Sequence, residues 1–335
     1  MHRHRIVAVL LVGVVLVACG PQAPADTDPV AEPPEAPVEA GVLRVYTTVT
    51  QDTVDAVVAA FEAAHDGVEV EVFRAPTGEF NARVAAERRE GEIRADVFWL
   101  TDPLSMLQFD ADGLLARWTP DGAAVVDEAY RSDTFWGTRV LNLVIVASAG
   151  LDPAPTSWWD LADPAHADAV AIPDPAFAGS AFGALAYLAL DDAHGFAFYE
   201  ALAANGAVQV NAPGEVVSGV AEGRFVAGMT LDRIARDAVE DGSPVQLVWP
   251  EPGAIAVHSP IAVLEGAAAS DLAERFVEHV LTGPAQAAIA ATGWQPVHPD
   301  VDWPHPTAPT VAPDWNEAFA RQDELLDGYR AWFGG

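Results

Sequence analysis

Hydroxyl side chains gather at three places where the pattern of this chain ends a strand and starts a helix. Thr47, Thr48 and Thr50 follow the run Val42–Tyr46. Thr101 and Asp102 follow Ala95–Leu100, and Ser180 opens the apolar stretch that begins Gly179-Ser180-Ala181-Phe182. A hydroxyl beside the free N–H groups of a helix N-terminus is a ready anion site. Each residue could equally be a plain N-cap; their joint occurrence at strand ends points to binding. Covalent chemistry is poorly provided for. Ser180 directly follows Gly179, which is not the G-x-S-x-G elbow of a hydrolase. None of the nine histidines falls in H-E-x-x-H, and there is no G-x-G-x-x-G or Walker loop. No cofactor is expected, and a secreted, lipid-anchored hydrolase is the rival class.

The single cysteine, Cys19, excludes internal disulfides, a multi-cysteine zinc site and an iron–sulfur cluster. It closes a basic start, Met1–Arg5, and an unbroken apolar run of 13 residues, Ile6–Ala18. That run is too short for a membrane span, which needs about 20 residues, and reads as a secretory signal. Leu16-Val17-Ala18-Cys19 resembles the lipobox of bacterial lipoproteins. The resemblance implies a signal peptide over 1–19 and a Cys19 carrying two or three acyl chains, enough for firm anchoring. Residues 20–41 are rich in proline and acids and lack aromatics, so they read as an extended, disordered tether. The expected location is the cell envelope, on the outer face of the cytoplasmic membrane.

The elements that must position these groups follow an α/β pattern. Val42–Thr48, Val68–Phe73 and Ala95–Leu100 read as strands. Between them lie helices over Asp52–His65, with Val54, Val57, Val58 and Phe61 on one face, and over Asn81–Arg89. Strand–helix alternation of this kind builds a parallel sheet. Further strands are expected at 140–147, 169–172, 208–210, 225–230, 245–249 and 254–264. Helices are expected at 179–190 and 214–222, and from Asp271, with Asp271 as cap and Glu274 completing a capping box. Gly283-Pro284 should start another, and Trp315–Phe333 should close the chain as one helix. The formal net charge is −32 and all 17 basic residues are arginine, so a nucleic-acid partner is excluded by repulsion.

The order of motifs resembles the substrate-binding proteins of bacterial ABC transporters, in the group of ferric-iron and 2-aminoethylphosphonate binders. Leu43-Arg44-Val45-Tyr46-Thr47, Ala95-Asp96-Val97-Phe98-Trp99 and Ala169-Val170-Ala171-Ile172-Pro173-Asp174-Pro175 carry it. So do Val217–Gly223, Gly283-Pro284-Ala285-Gln286 and Gly293-Trp294-Gln295-Pro296. The most specific segment is Pro155-Thr156-Ser157-Trp158-Trp159-Asp160-Leu161-Ala162-Asp163-Pro164. The resemblance implies a type II periplasmic-binding-protein fold: two lobes joined by two crossing hinge strands, with ligand in the cleft between them. Residues 42–140 plus 256–335 would form lobe one and 141–255 lobe two. It also implies a monomer that serves an ABC permease with a cytoplasmic ATPase.

That frame places Trp136, Arg139 and Asn142 at the first crossing, where Arg139 could grip a carboxylate or phosphonate with two parallel hydrogen bonds. Thr230 and Asp232 match, loosely, a cleft-facing segment of some relatives. Iron-binding relatives use adjacent tyrosines, whereas Tyr46, Tyr130, Tyr187, Tyr199 and Tyr329 are scattered. Any ferric site would fall to Asp102 and Asp232 with a bound anion. Three ligand classes stay open: a ferric complex, a small organic anion, and a cationic amine such as thiamine or a polyamine.

Overall fold

The computed structural model describes residues 40–305 and 308–334. Cys19, the signal segment and nearly all of the tether lie outside them. The first part of the body runs β1 (Gly41–Thr47), α1 (Gln51–Ala64), β2 (Val68–Arg74), α2 (Thr77–Glu90), β3 (Val97–Trp99) and α3 (Pro103–Ala111). The long strand β4 (Trp136–Ser148) follows. Then come β5 (Val170–Pro173), α4 (Gly179–Leu190), α5 (Gly195–Ala204), β6 (Val208–Val210), α6 (Pro213–Ala221), β7 (Ala227–Leu231), α7 (Asp232–Glu240) and β8 (Val245–Val248). A second long strand, β9 (Ala254–Val263), leads to α8 (Ser270–Leu281), α9 (Gly283–Ala291), β10 (Gln295–Pro296), β11 (Thr310–Val311), α10 (Trp315–Ala320) and α11 (Gln322–Phe333).

The sheet order is β2-β1-β3-β9-β4-β7-β5-β6, with β8 and β10 on β4 and β11 on β9. Both ends are parallel, as the alternation of strand and helix predicts. The middle is antiparallel and mixed, because β4 and β9 run oppositely through it. These two strands divide their partners along their length. Trp136–Leu143 of β4 pairs with β9, whereas Leu143–Ala147 pairs with β7. Val263, Ala262 and Ile261 of β9 pair with β3. Each strand thus begins in one half of the sheet and ends in the other. Every residue of β9 is buried, so its run of apolar residues suits a strand covered on both faces.

The helices form where one face is apolar. Val54, Val57 and Phe61 of α1 are buried, as are Leu272, Phe276, Val277, Val280 and Leu281 of α8. Phe61 meets Phe276 edge to face at 5.1 Å, an arrangement worth roughly 1 kcal/mol beyond burial.

Several elements depart from the pattern. Helix α2 starts at Thr77, four residues before Asn81. The N-cap of α8 is Ala269, and Asp271 stands in the first turn without capping. The last helix breaks at Arg321 into α10 and α11. The C-terminal part does not all join the first half of the sheet: Tyr329 of α11 packs against Tyr199 of α5 and takes a hydrogen bond from Gln209. Its apolar face, Leu325 and Tyr329, is complementary to α4 and α5 rather than to α1 and α8.

Candidate functional site

The first turns of four helices meet along the seam between the two halves of the sheet. Asp52, in the first turn of α1, accepts a 2.5 Å hydrogen bond from Nη2 of Arg233, in the first turn of α7. Asp102, the N-cap of α3, lies against Gly179, the first residue of α4. A Cβ at position 179 would overlap the Asp102 carboxylate, so only glycine permits this approach.

Beneath the first contact lies Trp294, just before β10. Its indole N–H points at Thr50 Oγ1 at 3.3 Å. Two guanidinium groups lie against its ring, Arg139 at 4.5 Å and Arg233 at 5.1 Å from the ring centroid. Arg139 has 0% exposure, and none of Nε, Nη1 and Nη2 has a hydrogen-bond partner. Burial pushes its pKa down to about 9, and nearby Arg233 adds to the fall while Asp52 opposes it. A guanidinium normally carries five satisfied donors, so an orphaned one is costly unless an anion meets it.

Asn142 donates from Nδ2 to Gln295 Oε1 at 3.0 Å, and its own Oδ1 is buried without a partner. Asp232 accepts from the Asn142 backbone N–H at 3.4 Å and from Arg236 Nη2 at 3.2 Å. Burial raises the Asp232 pKa in spite of Arg236. Asp102 accepts from the Ser105 backbone N–H through Oδ1, while its Oδ2 is buried and unpartnered. Burial raises its pKa too. A cavity of about 200 Å³ opens beside Asp102, bounded by Asn81, Ser105, Phe177, Gly179 and Arg330.

Several of the anticipated residues are used for structure. Thr47 Oγ1 donates to the Trp99 carbonyl at 2.6 Å and accepts from the Val49 N–H, so it caps the strand end. Thr230 Oγ1 donates to the Pro213 carbonyl inside the fold. Trp136 packs edge to face on Trp118 in the core. Ser180 is the second residue of α4 and is buried, so it is inside the helix rather than ahead of it. Thr48 and Thr101 bond each other at 3.0 Å and tie β1 to the loop after β3. Thr50 remains at the seam, between Thr53 and Trp294.

Asp102 stands at the N-cap of α3 and Asp232 in the first turn of α7. Among the described residues, no three His, Cys, Asp or Glu side chains could hold a metal ion. Sequence reasoning missed Asp52, Arg233, Arg236 and Trp294 as seam residues. Arg233 carries a signal that could have found it: a cation in a helix's first turn opposes the macrodipole.

A mixed α/β sheet with two long strands crossing between its halves, and helix N-termini facing across the seam, defines a two-lobed binding protein with a ligand cleft at the crossing. Residues 43–295 match the family model of bacterial extracellular solute-binding proteins, and the chain belongs to that family. Members of this type are the solute-capturing components of ABC importers.

A Salmonella paratyphi A protein, named provisionally for 2-aminoethylphosphonate binding in the periplasm, is 25% identical over 277 residues. That match covers 79% of this chain and 77% of the relative. Among solved structures, AfuA of Actinobacillus pleuropneumoniae, with fructose-6-phosphate bound, superposes with a TM-score of 0.76 at 19% identity. It covers 88% of this chain and 99% of that one. The ferric binding protein of Campylobacter jejuni also gives 0.76, at 16% identity, covering 86% and 98%. These similarities establish the type II fold. Among the described residues no helix is long and apolar enough to cross a membrane.

Proposed function

We propose that this chain captures a small organic anion, a phosphonate or phosphate ester, between its lobes and hands it to an ABC permease. One observation carries the reading: Arg139, fully buried at the crossing, has three nitrogens without partners. A bound oxyanion would supply charge-assisted hydrogen bonds that the protein itself does not provide. The 2-aminoethylphosphonate name of the Salmonella relative and the sugar phosphate in AfuA point the same way. A ferric ligand has less support, with no adjacent tyrosines and Asp232 already engaged by Arg236. A cationic amine would have to enter beside two guanidinium groups. The reading needs no chemical step, so the protein acts by binding alone.

The test is a thermal-shift and calorimetry panel of 2-aminoethylphosphonate, fructose 6-phosphate, inorganic phosphate, ferric citrate and spermidine. Binding at 100 times the dissociation constant adds about 2.7 kcal/mol of stability. A response to a phosphonate or phosphate ester is expected. A response confined to iron or to spermidine would sink the anion reading.

The same proposal holds the mature chain at the outer face of the cytoplasmic membrane through acylated Cys19, on a tether of residues 20–41. Tethering raises the effective concentration of the protein at its permease. Cys19→Ser should move the protein from the membrane to the soluble fraction; retention on the membrane would remove the anchor from the account.

A further inference from the structure

The corner around Trp294 holds a second guanidinium whose position helix electrostatics does not explain. Arg233 stands in the first turn of α7, at the positive end of that helix, where a cation is disfavoured. It approaches Gly293 so closely that a Cβ there would press on its side chain, and Gly293 has φ +85°. Arg233 and Arg139 face the same indole, and Arg233 raises the cost of charge on Arg139. Asp52 answers Arg233 from across the seam, and Asp237 lies at 3.4 Å from its Nε on the same helix. Burial works against the Asp52 carboxylate, but hydrogen bonds from Arg233 and Thr50 outweigh it and hold its pKa below the usual carboxylate range. The Asp52–Arg233 bond joins residues 181 positions apart and connects the two lobes.

We propose that Arg233 is a second contact for the solute's oxyanion, and that Asp52 is the protein's own carboxylate occupying that contact when no solute is bound. This rests on the anion reading above. A phosphonate, phosphate ester or carboxylate presents the same acceptor pair as Asp52, beside the unpartnered Arg139, and displaces it. Asp52 then sets both affinity and charge selectivity. It weakens every anion by the strength of its own bond, and it leaves a net attraction only for a group that also reaches Arg139.

Asp52→Asn separates the roles, because the amide oxygen can still accept from the Thr53 N–H that Asp52 Oδ1 now serves. The experiment uses the full chain with Cys19→Ser, which leaves no native cysteine. Spin labels on cysteines at the exposed positions Glu69 and Glu200 then report the distance between the lobes by pulsed electron resonance. The expected result is a longer ligand-free distance in Asp52→Asn and an affinity for 2-aminoethylphosphonate about tenfold higher. Arg233→Gln should lengthen the distance equally and lower that affinity. Unchanged affinity in Asp52→Asn, with or without a change in distance, overturns the proposal. If neither parent nor variant binds any oxyanion, the anion reading itself has failed. The distance measurement then still shows whether Asp52 and Arg233 hold the lobes together.

Discussion

A buried charge with no partner is a cost that folding alone does not explain, and Arg139 is that charge here. Arg139→Met replaces it with an apolar chain of similar length. The loss of the Trp294 stacking works the other way, by about 1 kcal/mol. The ligand-free variant should therefore equal the parent in urea denaturation or exceed it by up to about 2 kcal/mol. Its dissociation constant for the solute should rise about a hundredfold, the worth of a lost charged hydrogen-bond pair. A large loss of ligand-free stability would instead make Arg139 a structural residue. His258, on β9, poses the opposite problem. Neither ring nitrogen has a partner, and burial pushes its pKa down to about 3 from 6.5. The unfolded chain then binds a proton between those values that the folded chain does not, so stability falls as pH drops from 6.5 toward 3. His258→Phe should lose about 1.4 kcal/mol less stability per pH unit in that window, with little change at pH 7, by urea denaturation at pH 7 and 4.5. Equal slopes would show that His258 finds a partner in solution. At this scale the sequence was a partial guide. The family resemblance singled out Arg139 and Asn142, and the structure buries both on β4 where it pairs with β9. Thr47 and Thr230 were not, because a hydroxyl's neighbours are decided by the pairing of strands, not by the residue type. The Asp52–Arg233 contact had no local signal linking its two ends.

Strand ends and helix starts decide where the cleft residues stand, and α4 shows how tightly. Its first residue is glycine because the Asp102 carboxylate occupies the space of a side chain. Gly179 does not have positive φ, so alanine fits its backbone, and what it meets is the Asp102 side chain, which must move away from its Cβ. Gly179→Ala should therefore push α4 away from Asp102, lengthen the distance between lobes, and lower solute affinity at least tenfold. A variant that binds normally would mean that α4 and α3 need not approach for capture. The α/β alternation of the first half and the buried face of α8 were readable because apolar residues recur at the period of the element. The helices α3, α5 and α7 were not. Helix α7 reads Asp-Arg-Ile-Ala-Arg-Asp, a charged string whose buried members, Asp232, Ala235 and Arg236, become visible only once the seam exists. The crossing role of β4 came from the family resemblance rather than from its 13 residues, since a long apolar strand looks the same whether it serves one half of a sheet or both.

The whole molecule carries a formal charge of −32, and the proposed solute is also an anion. The two facts conflict at long range and agree at short range. The distant field repels the solute, whereas Arg139, with no partner for its guanidinium, presents a positive charge at the seam beside Arg233, which Asp52 and Asp237 hold. Salt separates the two terms, because the screening length falls from about 30 Å at 0.01 M to about 8 Å at 0.15 M. Added salt removes the distant repulsion first, and buried or half-buried charges are screened much less. Association of a phosphonate should therefore speed up severalfold between those salt concentrations, in stopped-flow measurements of tryptophan fluorescence. That is opposite to the behaviour of a solute steered by attraction. A cationic amine would show the reverse, arriving fastest at low salt. The sign of the salt effect on association thus tests the charge of the solute without knowing which phosphonate or phosphate ester it is. Slower capture of every responding ligand at 0.15 M would turn the assignment from an anion to a cation, and would require Arg139 to be neutralised by the protein itself.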